Sequence, residues 1–180
     1  MPKKHQTLKF ETRALQSTKN IISEVHAISP PIYLSSTFIR NKEGKYQDGY
    51  KYSRNDNPNR RTLEKSISTL ENGTTGFAFG SGMAAISAVF QSLKTGDHII
   101  LPDDVYFNLK LLIKNVFNRW GLSCSFVNMS NIEAISHSLN QQTRLIWIES
   151  PSNPQLKISD IRGICKLAHA NQILIAVDNT

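Results

Sequence analysis

The chain has 180 residues, a length that corresponds to one domain or most of one. Its hydrophobic fraction of 39% and its two distant cysteines, Cys124 and Cys165, indicate a folded protein without a disulfide framework. No apolar run approaches the roughly 20 residues of a membrane span, and the N-terminus lacks the apolar region of a secretory signal. The sequence therefore favours a cytoplasmic protein with no membrane partner.

The charge balance is basic, with a net charge of +7 from 21 Lys+Arg and 14 Asp+Glu. Such a chain can bind nucleic acid, but its basic residues are scattered, and no aromatic platform of the kind that single-strand binders need is interleaved with them. We therefore expect no nucleic-acid partner. A bound anionic cofactor, or an acidic half lying outside this sequence, would account for the same charge.

Residues 1–60 show little hydrophobic periodicity. They contain turn-forming prolines and glycines separated by polar residues, including Pro30, Pro31, Gly44, Gly49 and Pro58. This texture predicts an extended N-terminal arm with short turns. Because such an arm has no core of its own, we expect it to lie on another surface, such as a second subunit.

Regular elements begin at about residue 61. Leu63, Ile67 and Leu70 share one face of a helix that ends before Gly73. The pattern then predicts alternating strands and helices, in chain order a strand at 76–79, a helix at 82–94, a strand at 98–101, a helix at 107–119, a strand at 122–127, a helix at 131–139, a strand at 144–148, a helix at 159–170 and a strand at 173–177.

These strands are continuously apolar, which is typical of strands buried on both faces. The predicted fold class is therefore α/β, a mainly parallel sheet with helices on both faces, preceded by the arm. The sequence stops at Val177–Thr180, directly after a strand. We expect residues 61–180 to be a large domain that is incomplete at its C-terminal end.

A glycine turn at the start of the second predicted helix is the sharpest local feature. Gly80, Ser81 and Gly82 follow a predicted strand, and Ser81 is the expected N-cap. The free N–H groups of the first helical turn, with the helix dipole, suit a phosphate. A capped turn without any ligand is the alternative interpretation.

The same stretch also matches the dinucleotide-binding pattern G-x-G-x-x-A. Gly80, Gly82 and Ala85 supply the pattern, and Asp103 follows at the end of the next strand, where a ribose would be held. A second hypothesis is therefore an NAD-binding Rossmann oxidoreductase fragment.

Further candidates lie at predicted strand ends, where ligands bind in parallel sheets. Asp178 suits a cation such as a protonated pyridine nitrogen, or caps the next element. Asn153, flanked by Pro151 and Pro154, either directs its amide at a ligand or forms an ordinary turn. Tyr106 either stacks on a flat ring or packs in the interior.

The arm contributes Tyr52 and Arg54, which point to the same side of an extended segment. A hydroxyl and a guanidinium together suit a phosphate, although a solvated basic turn has the same composition. Cys165 and His169 share a helix face, but zinc needs three or four ligands and no second pair is evident. We therefore predict no metal site.

Several short motifs occur in a fixed order along the chain: Pro30–Phe38, Tyr52–Arg54, Asn57–Pro58, Leu63–Glu64, Gly80–Ala85, Glu149–Pro154 and Val177–Thr180. As an ordered set they resemble the pyridoxal-phosphate (PLP) enzymes of cysteine and methionine metabolism. That family includes cystathionine γ-synthase, cystathionine γ-lyase, cystathionine β-lyase and methionine γ-lyase, and it has the fold-type I architecture.

The resemblance implies a role for each candidate. Gly82 and Met83 would offer N–H groups to the cofactor phosphate, and Tyr52 and Arg54 would reach the phosphate of a neighbouring subunit. The remaining roles concern the ring of PLP: Asp178 would pair with its nitrogen, Tyr106 would stack on it and shuttle a proton, and Asn153 would contact its hydroxyl or the substrate carboxylate. Family members usually form dimers of dimers.

The implied activity is trans-sulfuration of sulfur amino acids or activated homoserine, cystathionine γ-synthase-like, with γ- or β-lyase chemistry close behind. One departure is that Phe107–Lys110 replaces the small residues that usually follow the tyrosine. A second is that the Schiff-base lysine is expected beyond Thr180. We therefore expect the 180-residue chain alone to be inactive, or to be a non-catalytic remnant that binds PLP.

Overall fold

The computed structural model describes residues 8–16 and 29–180 and divides the chain into two compact units, residues 1–80 and 81–180. Residues 1–7 and 17–28 of the predicted arm lie outside the described residues, and the division of the chain near residue 60 stays a prediction. No helix within the described ranges is long and apolar enough to cross a membrane.

The first unit contains a short helix that the sequence did not predict. Helix α1 spans Phe10–Gln16, within the arm that we expected to be extended. A helix of two turns is marginal alone and needs tertiary contacts. Arg13 supplies them, because its guanidinium donates to Asn72 Oδ1 at 2.8 Å and to the Thr69 carbonyl at 3.4 Å.

From residue 29 to the start of α2 at Pro58, the described part of the arm is largely extended with short turns, as expected, and it includes a 3₁₀ turn at Gln47–Gly49. Two isolated antiparallel bridges, Thr37 with Tyr52 and Arg40 with Tyr46, join its two legs. The segment therefore folds back on itself and brings Tyr52 beside residues 36–38.

Helix α2 spans Pro58–Leu70 and begins after Asn57, whose side chain accepts from the Asn59 N–H at 2.8 Å. The predicted apolar face is not buried, since Leu63 and Ile67 remain 52% and 50% exposed. The helix instead buries three other residues, Pro58, Thr62 and Ser68.

The strand predicted at 76–79 is absent. A strand needs a partner for its backbone, and here the Ala78 N–H donates to the Glu64 carboxylate at 3.0 Å instead. Gly76 lies so close to α2 that a Cβ would overlap the Glu64 carbonyl oxygen. This approach holds residues 76–78 against α2.

The second unit is the predicted α/β layer. In chain order its elements are α3 (Gly82–Gln91), β1 (His98–Pro102), α4 (Phe107–Leu112) with a π-helical turn at Ile113–Phe117, β2 (Ser123–Val127), α5 (Ile132–His137), β3 (Thr143–Glu149), α6 (Ile161–Ala170) and β4 (Leu174–Asp178). The four strands form one sheet in the order β2-β1-β3-β4, and every pairing is parallel.

Two hydrophobic clusters cover the two faces of this sheet. Ile99, Leu101, Leu145 and Trp147 lie on one face with residues of α3 and α4. Alternate strand residues, such as Ile146, lie on the other face with residues of α5 and α6. The period-2 alternation of a strand thus buries β1 and β3 on both sides.

The outer strands differ from the prediction of burial on both faces. β2 and β4 each have two exposed residues, and Leu174 of β4 is 63% exposed. Their position at the edges of this sheet explains the exposure, because each has a neighbouring strand on one side only. Two of the predicted helices end early, α3 at Gln91 and α5 at His137, whereas α6 ends at Ala170 as predicted.

His98 joins three strands near the start of β1. Its Nδ1 lies 2.9 Å from Thr143 Oγ1 of β3, and its Nε2 lies 3.0 Å from Ser125 Oγ of β2. The residue is buried, and this burial lowers the pKa of the imidazole below its ordinary value of 6.5. His98 is therefore held neutral within the sheet.

This burial predicts an acid-sensitive stability. A histidine with a depressed pKa in the folded state gives its full contribution above the unfolded value, near 6.5, and that contribution falls as the pH drops toward the folded value. When urea unfolding is measured at about pH 7.5 and about pH 5.5, the free energy of unfolding should decrease less between the two pH values for His98→Gln than for the unchanged protein. His137→Gln, at an exposed position, is the control. Equal losses for His98→Gln and the unchanged protein would contradict the role of His98.

Candidate functional site

Parallel pairing brings the C-terminal ends of the strands to one edge of the sheet in the second unit. Tyr106 follows β1, Asn153 follows β3, and Asp178 is the last residue of β4. In the β3–β4 pairing, Glu149 and Asp178 are register partners. Three of the predicted site residues therefore share this edge, where ligands bind in such sheets.

The first turn of α3 lies toward the same edge. The helix runs back to the start of β1 through a connection of residues 92–97, and helix and strand have similar lengths. Ser81 is the N-cap, as predicted, and its Oγ accepts from the Ala84 N–H at 3.2 Å. The N–H groups of Gly82 and Met83 have no acceptor among the described residues.

Space is open beside this turn. A Cβ added at Gly82 or at Gly80 would meet no atom within 4 Å. The Met83 side chain is partly buried against the core, so its backbone rather than its side chain faces the free region. The turn thus presents two unpaired N–H donors and the positive end of a helix dipole to an open space.

Asp178 carries a carboxylate without a cationic partner in the described part of the chain. Its Oδ1 accepts from the Thr180 N–H at 3.0 Å, and its backbone carbonyl accepts from the Ser150 N–H at 3.4 Å. Half-buried at the end of β4, this carboxylate is available to a cation bound at the edge.

Glu149 is a site residue for which sequence reasoning gave no role. It is only 6% exposed, and its two carboxylate oxygens accept from two loops: Oε2 from the Tyr106 N–H at 3.1 Å and Oε1 from the Asn153 N–H at 2.8 Å. Burial raises the pKa of Glu149, the two N–H donors oppose that shift, and the carboxylates of Asp178 and Asp104 add to it.

Tyr106 is partly exposed, as a residue that stacks on a ligand must be before the ligand binds. Its phenol oxygen accepts a hydrogen bond from Asn108 Nδ2 at 2.7 Å. Asn108 belongs to the Phe107–Lys110 segment that departs from the family pattern. This segment therefore fixes the phenol by a side-chain amide.

The loop after β3 contacts the loop after β1 through a hydrogen bond and ion pairs. Asp104 is buried and accepts from the Ser152 hydroxyl, which in turn accepts from the Lys157 N–H at 3.0 Å. The Lys157 ammonium lies 3.0 Å from Asp103 and 3.8 Å from Asp104. These contacts hold the loop that carries Asn153, whose exposed side chain has no partner within the described residues.

Tyr52 and Arg54 lie in the first unit. The guanidinium of Arg54 stacks over the Tyr52 ring at 4.9 Å, and it has no acidic partner among the described residues. The two side chains are therefore on one side of the segment, as the sequence predicted. The exposed guanidinium is available to an anion.

This geometry defines a class of protein: an α/β protein whose sheet edge, within the part of the chain that the structure describes, offers N–H donors without acceptors at one helix start and a carboxylate without a cationic partner at one strand end. The comparisons with known proteins agree. The family model for Cys/Met metabolism PLP-dependent enzymes matches residues 11–180. The chain belongs to this family, its fold is fold type I, and the cofactor of the family is PLP.

Similar proteins include a cystathionine γ-synthase of Mycobacterium leprae, 42% identical over 86% of this chain and 40% of the relative. A cystathionine β-lyase of Coxiella burnetii is 39% identical over 95% of the chain and 44% of the relative. The crystal structure of a cystathionine γ-lyase from Lactobacillus plantarum complexed with L-serine has a TM-score of 0.90, is 42% identical, and covers 96% of this chain and 45% of that one. The chain spans less than half the length of these relatives.

The dinucleotide hypothesis finds no support. The family match and the relatives are PLP-dependent enzymes of sulfur amino acids. In addition, Asp103, which would have held a ribose, forms an ion pair with Lys157. The sequence correctly predicted that Asp103 lies at a strand end. It did not predict the ion pair between Asp103 and Lys157, which lies 54 residues further along the chain.

The buried serine of the loop after β3 gives a stability prediction. Ser152→Ala removes a donor to the buried Asp104 carboxylate and an acceptor for the Lys157 N–H. We expect a loss of about 1–3 kcal/mol in the free energy of unfolding, because the buried Asp104 carboxylate and the partly buried Lys157 N–H each lose a hydrogen-bond partner. Urea unfolding measures this loss. Ser136→Ala, at an exposed position of α5, is the control, and an equal effect of both would contradict the proposed network.

Proposed function

We propose that the protein containing this chain is a PLP-dependent trans-sulfuration enzyme that acts on sulfur amino acids or activated homoserine. One observation carries the proposal: among the described residues, a single sheet edge combines N–H donors that have no acceptor and a carboxylate that has no cationic partner. PLP has a phosphate at one end and a protonatable ring nitrogen at the other, so its charges complement both.

The phosphate would be bound by the helix start and by the arm. Gly82 and Met83 supply backbone N–H groups, which hold a phosphate without any further charge. Tyr52 and Arg54 supply a hydroxyl and a guanidinium, which bonds phosphate through two parallel donors. Following the family resemblance, we propose that this second pair reaches the phosphate of a neighbouring subunit.

The ring would lie between Asp178 and Tyr106. Asp178 would keep the ring nitrogen protonated, and in that form PLP withdraws electrons from the Cα of a bound amino acid. The Tyr106 ring would stack on one face of the cofactor. Asn153 would donate its side-chain amide to the cofactor hydroxyl or to the substrate carboxylate.

Tyr106 is also placed to move a proton. Its phenol oxygen accepts from Asn108, which leaves its own O–H free to donate toward the ring side. Asn108 thereby orients the hydroxyl through a neutral hydrogen bond and not through an ion pair. The proton that Tyr106 handles would be one leaving or joining the amino-acid substrate.

Among the trans-sulfuration reactions we favour γ-replacement on activated homoserine, with γ- and β-lyase chemistry close behind. The synthase, β-lyase and γ-lyase relatives match with identities of 42%, 39% and 42%, which supports the shared class. We further propose a cytoplasmic homo-oligomer, a dimer of dimers, which is consistent with two free cysteines and with the expectation that the arm lies on a second subunit.

Arg54→Ala tests the phosphate site in the full-length protein. We expect PLP affinity, followed by visible absorbance during titration, to fall about tenfold to a hundredfold, since a charge-assisted contact is worth about 1.5–3 kcal/mol. Thermal stability of the PLP-free protein should change little, because Arg54 has no acidic partner among the described residues and its stacking on the Tyr52 ring involves an exposed side chain.

Arg119→Ala is the matched control, an exposed arginine outside the site. Its PLP affinity should equal that of the unchanged protein. If Arg54→Ala and Arg119→Ala retain PLP equally well, the arm does not reach the phosphate, and the shared site is wrong.

A further inference from the structure

Glu149 joins the two loops that carry the proposed ring contacts. One of its oxygens accepts from the backbone of Tyr106 and the other from the backbone of Asn153, at 3.1 Å and 2.8 Å. These two residues follow different strands, β1 and β3. The bonds go to the residues that carry the site side chains themselves, not to their neighbours.

The geometry requires a carboxylate. Two N–H donors approach the two oxygens of one side chain, and only an acidic residue offers two acceptor oxygens, since an amide has a single one. The side chain is almost wholly buried and forms no ion pair within the described part of the chain. A buried acid without a cation is costly, so these two hydrogen bonds are its main compensation.

We propose that Glu149 is a positioning residue, which fixes the distance between the phenol of Tyr106 and the amide of Asn153 by holding both backbones on one side chain. This inference rests on the proposed function, in which those two side chains contact PLP. The second connection between the loops joins the side chains of Ser152 and Asp104, which are close in sequence to Asn153 and Tyr106 but do not bond the backbone of either residue. It keeps the loops together when Glu149 is changed.

Glu149→Gln is the test variant, made in the full-length protein. The glutamine retains the shape but satisfies one N–H only, so the two loops lose their common anchor. We expect PLP to bind about tenfold more weakly and the visible circular dichroism of bound PLP to decrease, since the ring loses its fixed orientation. Hydrogen exchange of the Tyr106 or the Asn153 amide should become about tenfold faster or more.

Asp160→Asn is the matched control. Asp160 also accepts from a backbone N–H, that of Gly163 at 3.0 Å, but it accepts only one at the start of α6. Because asparagine caps helices as well as aspartate does, PLP affinity and dichroism should remain unchanged. Equal behaviour of Glu149→Gln and Asp160→Asn in all three measurements would overturn the proposal.

The unchanged protein gives a test that does not depend on the variant folding. In the absence of PLP, deuterium uptake of a peptide covering residues 151–155 reports the Asn153 amide with few others, because Pro151 and Pro154 have no N–H. We expect the amides of Asn153 and Tyr106 to be protected about a hundredfold or more and to exchange together. Rapid exchange of either amide would refute the anchor.

The same measurement separates this inference from the proposed function. If both amides are protected but the unchanged protein binds no PLP, the anchor exists and the function is wrong, which also removes the positioning role. If PLP binds and both amides exchange freely, the function stands and the role of Glu149 is wrong.

Discussion

The parallel pairing of β3 with β1 and β4 is the constraint on which the site depends. Parallel strands bring all of their C-terminal ends to one edge, and the register places Glu149 directly opposite Asp178. The pairing is secured by two apolar clusters that bury β1 and β3 on both faces. The loops after these strands therefore start from fixed positions, and this limits where the side chains of the candidate site can lie.

Negative charge accumulates at this edge, and each carboxylate is compensated differently. Asp103 and Asp104 share the ammonium of Lys157, whereas Glu149 relies on two backbone N–H groups. Among the described residues, Asp178 has no cationic partner and its carboxylate accepts from a single N–H group, that of Thr180, and it contributes to raising the pKa of Glu149. A protonated ring nitrogen beside Asp178 would relieve both carboxylates.

Features governed by local sequence were predictable. The Ser81 cap, the strands at β1 and β3 and the position of Asp178 follow from short patterns that the structure reproduces. Features that depend on tertiary contact were not: α1 is held by Arg13, residues 76–79 bond to Glu64 instead of to a strand, and Leu63 of α2 remains exposed. The hydrogen bonds of Glu149 could not be predicted either, because they join two loops that only the sheet register brings together.

We propose that the carboxylate of Asp178, which has no cationic partner among the described residues, forms an ion pair with the protonated ring nitrogen of PLP. The most direct measurement is the ¹⁵N chemical shift of ring-labelled PLP bound to the full-length protein, compared with the Asp178→Asn variant. The account predicts a protonated ring nitrogen in the unchanged protein and a neutral pyridine in the variant, since asparagine carries no charge to stabilise the proton. A neutral ring nitrogen in the unchanged protein, or the same shift in both proteins, would contradict it.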